Sequence, residues 1–206
     1  MENLAVRLAN LTPTDEVGEW MRHVSAKHAR SATEGSARMG RWGTNGGFPV
    51  LYLGRPRDSV IVEAYRHLVD PVEFDTDADR LQFLQAMMPR TMIRCSVDVT
   101  NLLDLRTATG RSHAGLTIQD LTCATTDRDA YARCQHVAQV AHQLRLHGVI
   151  APAATGLGET LALFTDVLPE AQIPSVLEDE PWHRLPGDPR AAPQQTLRLV
   201  RSPRLD

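Results

Sequence analysis

Apolar and polar residues alternate most regularly between Met92 and Val99. The apolar positions of this segment are Ile93, Cys95, Val97 and Val99. Because successive side chains of a strand point to opposite faces, the pattern predicts a β-strand with one buried face. A continuous apolar run over Phe48–Leu53 predicts a second strand that is covered on both faces.

Three segments repeat their apolar residues with the spacing of a helix. They lie at about residues 58–69, 75–88 and 127–147. Aspartate or serine at the start of the first two segments provides suitable N-caps. The third segment is the longest, and Gly148 is predicted to end it.

Shorter strands are predicted on either side of these helices. Glu19–Val24 is interpreted as a short edge strand. Val149–Ala151 and Thr160–Phe164 form a pair of strands joined by a glycine turn at residues 156–158. Gln195–Val200 is expected to be the last strand, with alternate leucines facing inward.

The order of these elements mixes strands and helices without a regular βαβ alternation. It therefore predicts an α+β fold with a mixed sheet core and flanking helices. We expect an N-terminal extension over residues 1–18, a single domain over 19–206 and a loop-rich insertion at about 166–194. A glycine-, serine- and arginine-rich loop over 27–47 is long enough to suggest a functional role.

The composition is that of an ordinary globular protein, with one unusual feature. The chain has 206 residues, 42% hydrophobic residues and a net charge of −3, so it lacks the excess of basic residues that a general nucleic-acid binder carries. Among the 22 lysines and arginines, Lys27 is the one lysine. A coding bias accounts for this, or some arginines act as planar forks for phosphate or carboxylate groups.

The cysteines and the hydropathy indicate a cytoplasmic protein without a membrane segment. Cys95, Cys123 and Cys134 are an odd set without a CxxC spacing, which argues against a disulfide framework and a structural zinc site. The N-terminus does not have the basic start and long apolar run of a secretory signal.

Two short motifs have ordinary explanations. The glycines at 156–158 lack the third glycine of a dinucleotide fingerprint and are interpreted as a turn. Glu63 and His67 lie four residues apart on a predicted helix, which suits half of a metal site or a local hydrogen bond. Without a second matching pair, the local hydrogen bond is favoured and no metal site is predicted.

One group of residues suggests chemistry on a dinucleotide. Arg41 and Trp42 close the glycine-rich loop, Tyr52 lies on the strand that follows, and Glu63 lies in the next helix. An arginine fork can hold a pyrophosphate, and an aromatic ring can stack on a base such as nicotinamide. A lone carboxylate can stabilise the positive charge that develops on a ribose when its N-glycosidic bond breaks.

The segment that contains these residues resembles the RES-domain family. Its sequence is GRWGTNGGFPVLYLGRPRDSVIVEAYRHL, Gly40–Leu68. Glu19–Val24 is similar to the opening strand of the family, Val97–Leu105 to a later strand, and Cys134–Gly158 to the late helix and strand. The resemblance covers about residues 19–165 in the order of the family.

The resemblance implies an ADP-ribosyltransferase-like fold and a bacterial toxin that destroys NAD by phosphorolysis or hydrolysis. Such a toxin takes NAD as substrate, with phosphate as a possible co-substrate, needs no metal or resident cofactor, and is neutralised by an Xre-type antitoxin encoded nearby. Neither a membrane nor a nucleic acid is an expected partner. Carried over by position, the catalytic residues are Glu63, Arg41 and Tyr52, and the substrate-binding residues are Arg22, Arg41, Tyr52, Trp42 and Gln135.

The chain departs from the family at the serine of the family name. The two possible alignments put alanine there, at Ala153 or at Ala132, and Ser36 or Thr155 would have to substitute in space. Three hypotheses therefore remain open. They are an NAD-cleaving enzyme, a degenerate domain that binds a nucleotide or an antitoxin, and an enzyme that transfers ADP-ribose to a macromolecule.

Overall fold

The structure is a computed structural model that describes residues 3–124 and 127–191. Its strands are β1 (Thr14–Ser25), β2 (Val50–Arg55), β3 (Arg90–Asp104), β4 (Gly148–Pro152), β5 (Glu159–Phe164) and β6 (Ser175–Trp182). Its α-helices are α1 (Leu4–Ala9), α2 (Arg57–Leu68), α3 (Asp77–Ala86), α4 (Ala108–Ala114), α5 (Ile118–Thr122) and α6 (Arg128–Gln143). Short 3-10 helices lie at Ala26–Ser31, Glu170–Gln172 and Pro189–Ala191.

The six strands form one mixed sheet in the order β1-β2-β5-β4-β3-β6. β1 also pairs with β3 along most of its length, so the pairings of the first five strands close into a ring. All of these pairs are antiparallel except β3–β4, which is parallel. The prediction of a mixed sheet core with flanking helices is confirmed.

The strand predicted from alternation over Met92–Val99 is the centre of β3. Its four apolar side chains are buried in the core between the strands, whereas Arg94 and Asp98 face outward. β2, β4 and β5 confirm the other predicted central strands. Gly156 and Gly158 have positive φ values of 75° and 70°, so the segment between β4 and β5 is the predicted turn.

The prediction of a short edge strand at Glu19–Val24 is wrong. β1 is twelve residues long and pairs with β3 from Thr14 to Ser25, and Met21 also pairs with Gly54 of β2. The strand therefore starts inside the predicted extension at 1–18. The remainder of that extension contains α1, whose Leu8 is buried in the core.

The insertion predicted at residues 166–194 contains a strand rather than only loop. β6 pairs antiparallel with the first half of β3 and forms the free edge of the sheet. Its three acidic residues include Glu178 and Glu180, which form ion pairs with Arg94 and Arg57 at 2.7 and 2.6 Å. The strand predicted at Gln195–Val200 lies outside the described residues.

The end of the last helix differs from the prediction. α6 ends at Gln143, because Arg145 adopts a positive φ of 60° that turns the chain before the predicted stop at Gly148. That glycine is the first residue of β4, where a β-carbon would lie 2.3 Å from the carbonyl oxygen of Ala162.

No helix in residues 3–124 and 127–191 is long and apolar enough to cross a bilayer.

The connection between β2 and α2 determines where the candidate site lies. The single residue Pro56 joins the two elements. The apolar face of α2 (Val60, Ile61, Ala64 and Tyr65) packs into a core cluster with Trp182. Side chains on the other faces of α2 are therefore held next to those of β2.

Candidate functional site

A small cavity lies where β1, β2 and the first two turns of α2 meet. Its volume is about 80 Å³. The lining combines apolar groups with a few polar ones: Met21, Arg22, Tyr52, Leu53, Gly54, Ser59, Val60, Glu63, Ala153 and Thr160. An apolar pocket with a few converging polar groups is typical of a small-molecule site. Three of the residues that the sequence predicts, Arg22, Tyr52 and Glu63, are brought together here.

Glu63 is the carboxylate of this cavity. Its Oε1 lies 2.6 Å from Nε2 of His67, one helical turn further along, and Arg66 Nη1 lies 4.0 Å from its Oε2. Burial alone would raise the pKa of Glu63, but the hydrogen bond with His67 and the charge of Arg66 outweigh it and lower the pKa below its ordinary value. The side chain is 39% exposed and is ionised at neutral pH.

Arg22 lines the cavity from β1. Its Nη1 donates a hydrogen bond of 2.8 Å to the carbonyl oxygen of Ala32, which fixes the guanidinium. Among the described residues none accepts a hydrogen bond from its buried Nε. Since a buried donor without a partner is costly, this N–H is available to an anionic or carbonyl group of a ligand.

Tyr52 connects the cavity to the glycine-rich loop. Its hydroxyl oxygen accepts a hydrogen bond of 2.9 Å from the backbone N–H of Trp42. Burial raises the pKa of Tyr52, so the hydroxyl stays protonated and keeps its proton for a second partner. A β-carbon at Gly40 would lie 2.5 Å from the tyrosine oxygen, so the loop can approach Tyr52 this closely only with glycine at that position.

Arg41 is buried and its guanidinium is bound within the protein. Nη1 donates to the carbonyl oxygen of Asp120 at 2.6 Å, and Nη2 donates to that of Cys123 at 2.9 Å. The guanidinium also lies 4.6 Å from the centre of the Tyr131 ring. Within the part of the chain that the structure describes, Arg41 does not line the cavity, and its phosphate-binding role stays a prediction.

Trp42 and Gln135 also have contacts that support the loop. Trp42 is 1% exposed and belongs to the core cluster beneath α6. Nε2 of Gln135 donates to the carbonyl oxygens of Gly40 and Gly43 at 2.8 and 3.1 Å. The structure therefore separates these two residues and Arg41 from the three that line the cavity, and their substrate contacts remain untested predictions.

Ser59 is a cavity residue that the sequence analysis missed. It lies four residues before Glu63 on α2, a spacing that puts two side chains on the same helix face. Its side chain is buried, and its Oγ lies 2.8 Å from Oγ1 of Thr155. The i, i+4 spacing was the signal that would have found it.

The two alignments for the missing family serine lead to different locations. Ala153 is buried and lines the cavity beside Glu63. Ala132 is exposed on α6. Ala153 is therefore the alanine whose replacement by serine would add a hydroxyl to the cavity.

Arg66 is a second residue that the sequence analysis missed. Its Nη2 donates to the carbonyl oxygen of Cys123 at 3.4 Å, the same oxygen that Arg41 contacts. Its Nη1 is buried, and no group in residues 3–124 and 127–191 accepts a hydrogen bond from it. This side chain therefore links the environment of Arg41 to that of Glu63.

A wider groove adjoins the cavity and shares Arg22 with it. The groove has a volume of about 730 Å³. Its basic and titratable groups are Arg22, His23, Lys27, His28, Arg38 and Arg90, and Glu34 is its acidic residue. Ligand sites of drug-sized molecules commonly reach 300–1,000 Å³. The groove has room for the parts of a ligand that do not fit the 80 Å³ cavity.

The hydrogen bond predicted between Glu63 and His67 is present in the structure. Glu63 and His67 contact each other, and the described residues contain no group of three or more potential metal ligands in reach of one ion. The three cysteines are free thiols.

The chain belongs to the RES-domain family. The sequence model of this family, described as "RES domain", matches residues 17–186. This range includes all six strands except the first residues of β1. The resemblance inferred from Gly40–Leu68 is thereby confirmed.

Curated relatives include the protein named NAD(+) phosphorylase MbcT from Mycobacterium bovis and from Mycobacterium tuberculosis. The chain is 31% identical to each over 140 residues, which are 66% of this chain and 68% of the relative. A solved structure, that of the M. tuberculosis MbcT-MbcA toxin-antitoxin complex, has the same fold. It matches with a TM-score of 0.72 and 23% identity over 88% of this chain and 93% of the other.

Proposed function

We propose that this protein is an NAD-degrading toxin that cleaves the bond between nicotinamide and ribose. The observation that carries the proposal is the ionised carboxylate of Glu63 in a small apolar cavity with Tyr52 and Arg22. A fixed negative charge in a largely apolar pocket stabilises a developing ribose cation more strongly than the same charge in water.

The relatives favour phosphate as the acceptor. MbcT is named an NAD(+) phosphorylase, and the chain shares 31% of its residues with it over the matched region. We therefore infer that inorganic phosphate, rather than water or a macromolecule, attacks the anomeric carbon. NAD and phosphate are substrates in this scheme, and no resident cofactor takes part.

The proposed step is a substitution at the anomeric carbon of the ribose. The bond from this carbon to the nicotinamide nitrogen breaks, and the electron pair goes to the nitrogen, so the cationic ring leaves as neutral nicotinamide. A phosphate oxygen forms the new bond to the same carbon, which gives ADP-ribose with a phosphate at that position. Glu63 stabilises the oxocarbenium-like charge between these two events.

The basic groove supports a dinucleotide as substrate. The small cavity can take the carboxamide end of nicotinamide but not the rest of NAD. The groove that shares Arg22 offers several cationic groups around one acidic residue, a suitable environment for a diphosphate. Under this proposal the unpartnered Nε of Arg22 binds a phosphate oxygen or a ribose oxygen at the junction.

Membership of the RES-domain family also supports an inference about the fold and the partner. We infer an ADP-ribosyltransferase-like arrangement of the mixed sheet around the cavity. The related fold is that of MbcT in a complex with MbcA, described as a toxin-antitoxin complex. We propose that a cognate antitoxin neutralises this protein as well, and that Arg41 keeps the glycine-rich loop over residues 27–47 in place.

The deciding experiment measures nicotinamide release from NAD by the purified protein with and without inorganic phosphate. We expect rapid release with phosphate and a phosphorylated ADP-ribose product by mass spectrometry. Release that is independent of phosphate would favour hydrolysis. An absence of release in either buffer, even at high protein concentration, would refute an NAD-cleaving enzyme.

The alanine at the family serine position favours one alternative, a degenerate domain that binds NAD without cleaving it. Ala153 gives the cavity no hydroxyl at this position. The variant Ala153→Ser distinguishes the two functions. Cleavage by this variant together with binding but no cleavage by the wild type would support the degenerate domain.

A further inference from the structure

We propose that Ser59 determines the specificity of the cavity for a carboxamide. In this proposal its hydroxyl oxygen accepts a hydrogen bond from the N–H of the nicotinamide carboxamide. The inference rests on the proposed cleavage of NAD and adds a residue for recognition of the leaving group.

The hydrogen bonds of Thr155 determine the direction of the Ser59 hydroxyl. Oγ1 of Thr155 lies 3.2 Å from both the carbonyl oxygen and the backbone N–H of Leu157. In the arrangement that uses both contacts, the threonine proton goes to the carbonyl oxygen and one lone pair accepts the N–H. Its remaining contact, 2.8 Å to Ser59, is satisfied only when Ser59 donates. The Ser59 oxygen is then an acceptor for any further partner.

The separation of Ser59 and Glu63 matches the separation of the two parts of the substrate that they would contact. Both residues line the cavity, and they lie one helical turn apart on α2, which separates their β-carbons by about 5–6 Å. A group that faces the anomeric carbon and a group that faces the carboxamide across the pyridine ring need a comparable separation. Glu63 is assigned to the first and Ser59 to the second.

The burial of the two residues supports the same assignment, because Ser59 lies deeper in the cavity than Glu63. Ser59 is 3% exposed as a residue, whereas the side chain of Glu63 is 39% exposed. Under this proposal the leaving ring lies deeper than the ribose, with its carboxamide toward Ser59. Apolar groups of Leu53, Val60 and Ala153 line the same cavity and suit the faces of a flat ring.

An acceptor at this depth distinguishes amides from ketones of the same shape. The carboxamide brings two N–H donors, and burying a donor without a partner costs free energy. A ketone in the same place presents a methyl group to the serine oxygen and leaves it without a hydrogen bond. A site built to bond a substrate N–H discriminates against an analogue that lacks it.

The test compares NAD with 3-acetylpyridine adenine dinucleotide, in which a methyl group replaces the amide nitrogen. We expect the wild type to have a kcat/KM about tenfold higher for NAD. In Ser59→Ala this ratio should fall toward one, mainly through loss of activity on NAD. In Thr155→Val, which leaves the serine proton without its acceptor, the ratio should also fall, and this variant keeps the cavity wall intact if Ser59→Ala does not fold.

The control is Ser112→Ala, which removes an exposed hydroxyl on α4 and should leave both activities unchanged. If the wild type cleaves NAD but neither Ser59→Ala nor Thr155→Val changes the ratio, the role of Ser59 is refuted and the proposed function stands. If the wild type cleaves neither dinucleotide, the proposed function itself is refuted, and the role of Ser59 with it.

Discussion

Oε1 of Glu63 and Nε2 of His67 lie 2.6 Å apart on consecutive turns of α2. Since a carboxylate can only accept, the histidine donates this hydrogen bond. The bond opposes the effect of burial on the carboxylate and lowers its pKa. A charged group is thereby kept ionised at the wall of an apolar cavity, as the proposed stabilisation of a ribose cation requires.

The first prediction concerns the charge of Glu63. Glu63→Gln retains the size of the side chain and one acceptor oxygen for His67 but removes the negative charge. We expect nicotinamide release to fall by roughly 100- to 1,000-fold. The measurement is steady-state release with NAD, together with circular dichroism to show that the fold is intact. Undiminished release by a folded variant would remove Glu63 from the proposed mechanism.

A second prediction concerns pH. Because its pKa is lowered, Glu63 remains ionised as the pH falls below the ordinary value of 4.5, and the charge is lost only when the pH passes the lowered pKa. His67→Ala removes the largest of the interactions that lower this pKa, while burial continues to raise it and Arg66 continues to lower it. The acidic limb of a plot of kcat/KM against pH should therefore move to higher pH.

The same series of measurements contains its own control. His136→Ala changes an exposed histidine on α6. It should leave the acidic limb where the wild type has it. If His67→Ala does not move the limb either, the histidine does not set the ionisation of Glu63.

The third prediction assigns Arg41 a structural contribution. Arg41→Ala removes the charged donor of the Asp120 carbonyl oxygen and leaves that of Cys123 with the longer contact of 3.4 Å from Arg66. We expect the free energy of unfolding to fall by about 3 kcal/mol, measured by urea denaturation. Arg128→Ala, a change of an exposed arginine at the start of α6, should alter it by less than about 0.5 kcal/mol. Equal effects of both variants would contradict the role inferred from these contacts.

A fourth prediction tests the close approach of the loop to Tyr52. In Gly40→Ala the added β-carbon would lie 2.5 Å from the tyrosine oxygen, so the loop or the ring must move. We expect nicotinamide release to fall by roughly 100-fold, because small displacements of a positioning group have effects of this size. The matched control is Gly187→Ala, where a β-carbon would meet no atom within 4 Å. If both variants retain wild-type activity, the contact does not position Tyr52.

Much of the fold follows from local patterns in the chain. The alternation in β3, the apolar run of β2 and the helical repeat of α2 each reflect contact of one face with the core, so they are visible in the sequence. β6 was missed because it lacks such a pattern. All its residues except Trp182 are exposed, so it carries no pattern of burial. It forms because β3 offers an unpaired edge, which only the assembled sheet contains.

The candidate site likewise contains residues that the sequence predicts and residues that it does not. The residues from β2 and α2 could be predicted, since Tyr52 and Glu63 lie in adjacent elements joined by one residue. This pair and the hydrogen bond between Glu63 and His67 follow from the spacing of the residues along the chain. Only the folded chain brings Arg41 to carbonyl groups about 80 residues away. The same is true of the contact between Ser59 and Thr155, which lies 96 residues further along the chain. Such contacts depend on how the strands close around the core, and no periodicity along the chain records them.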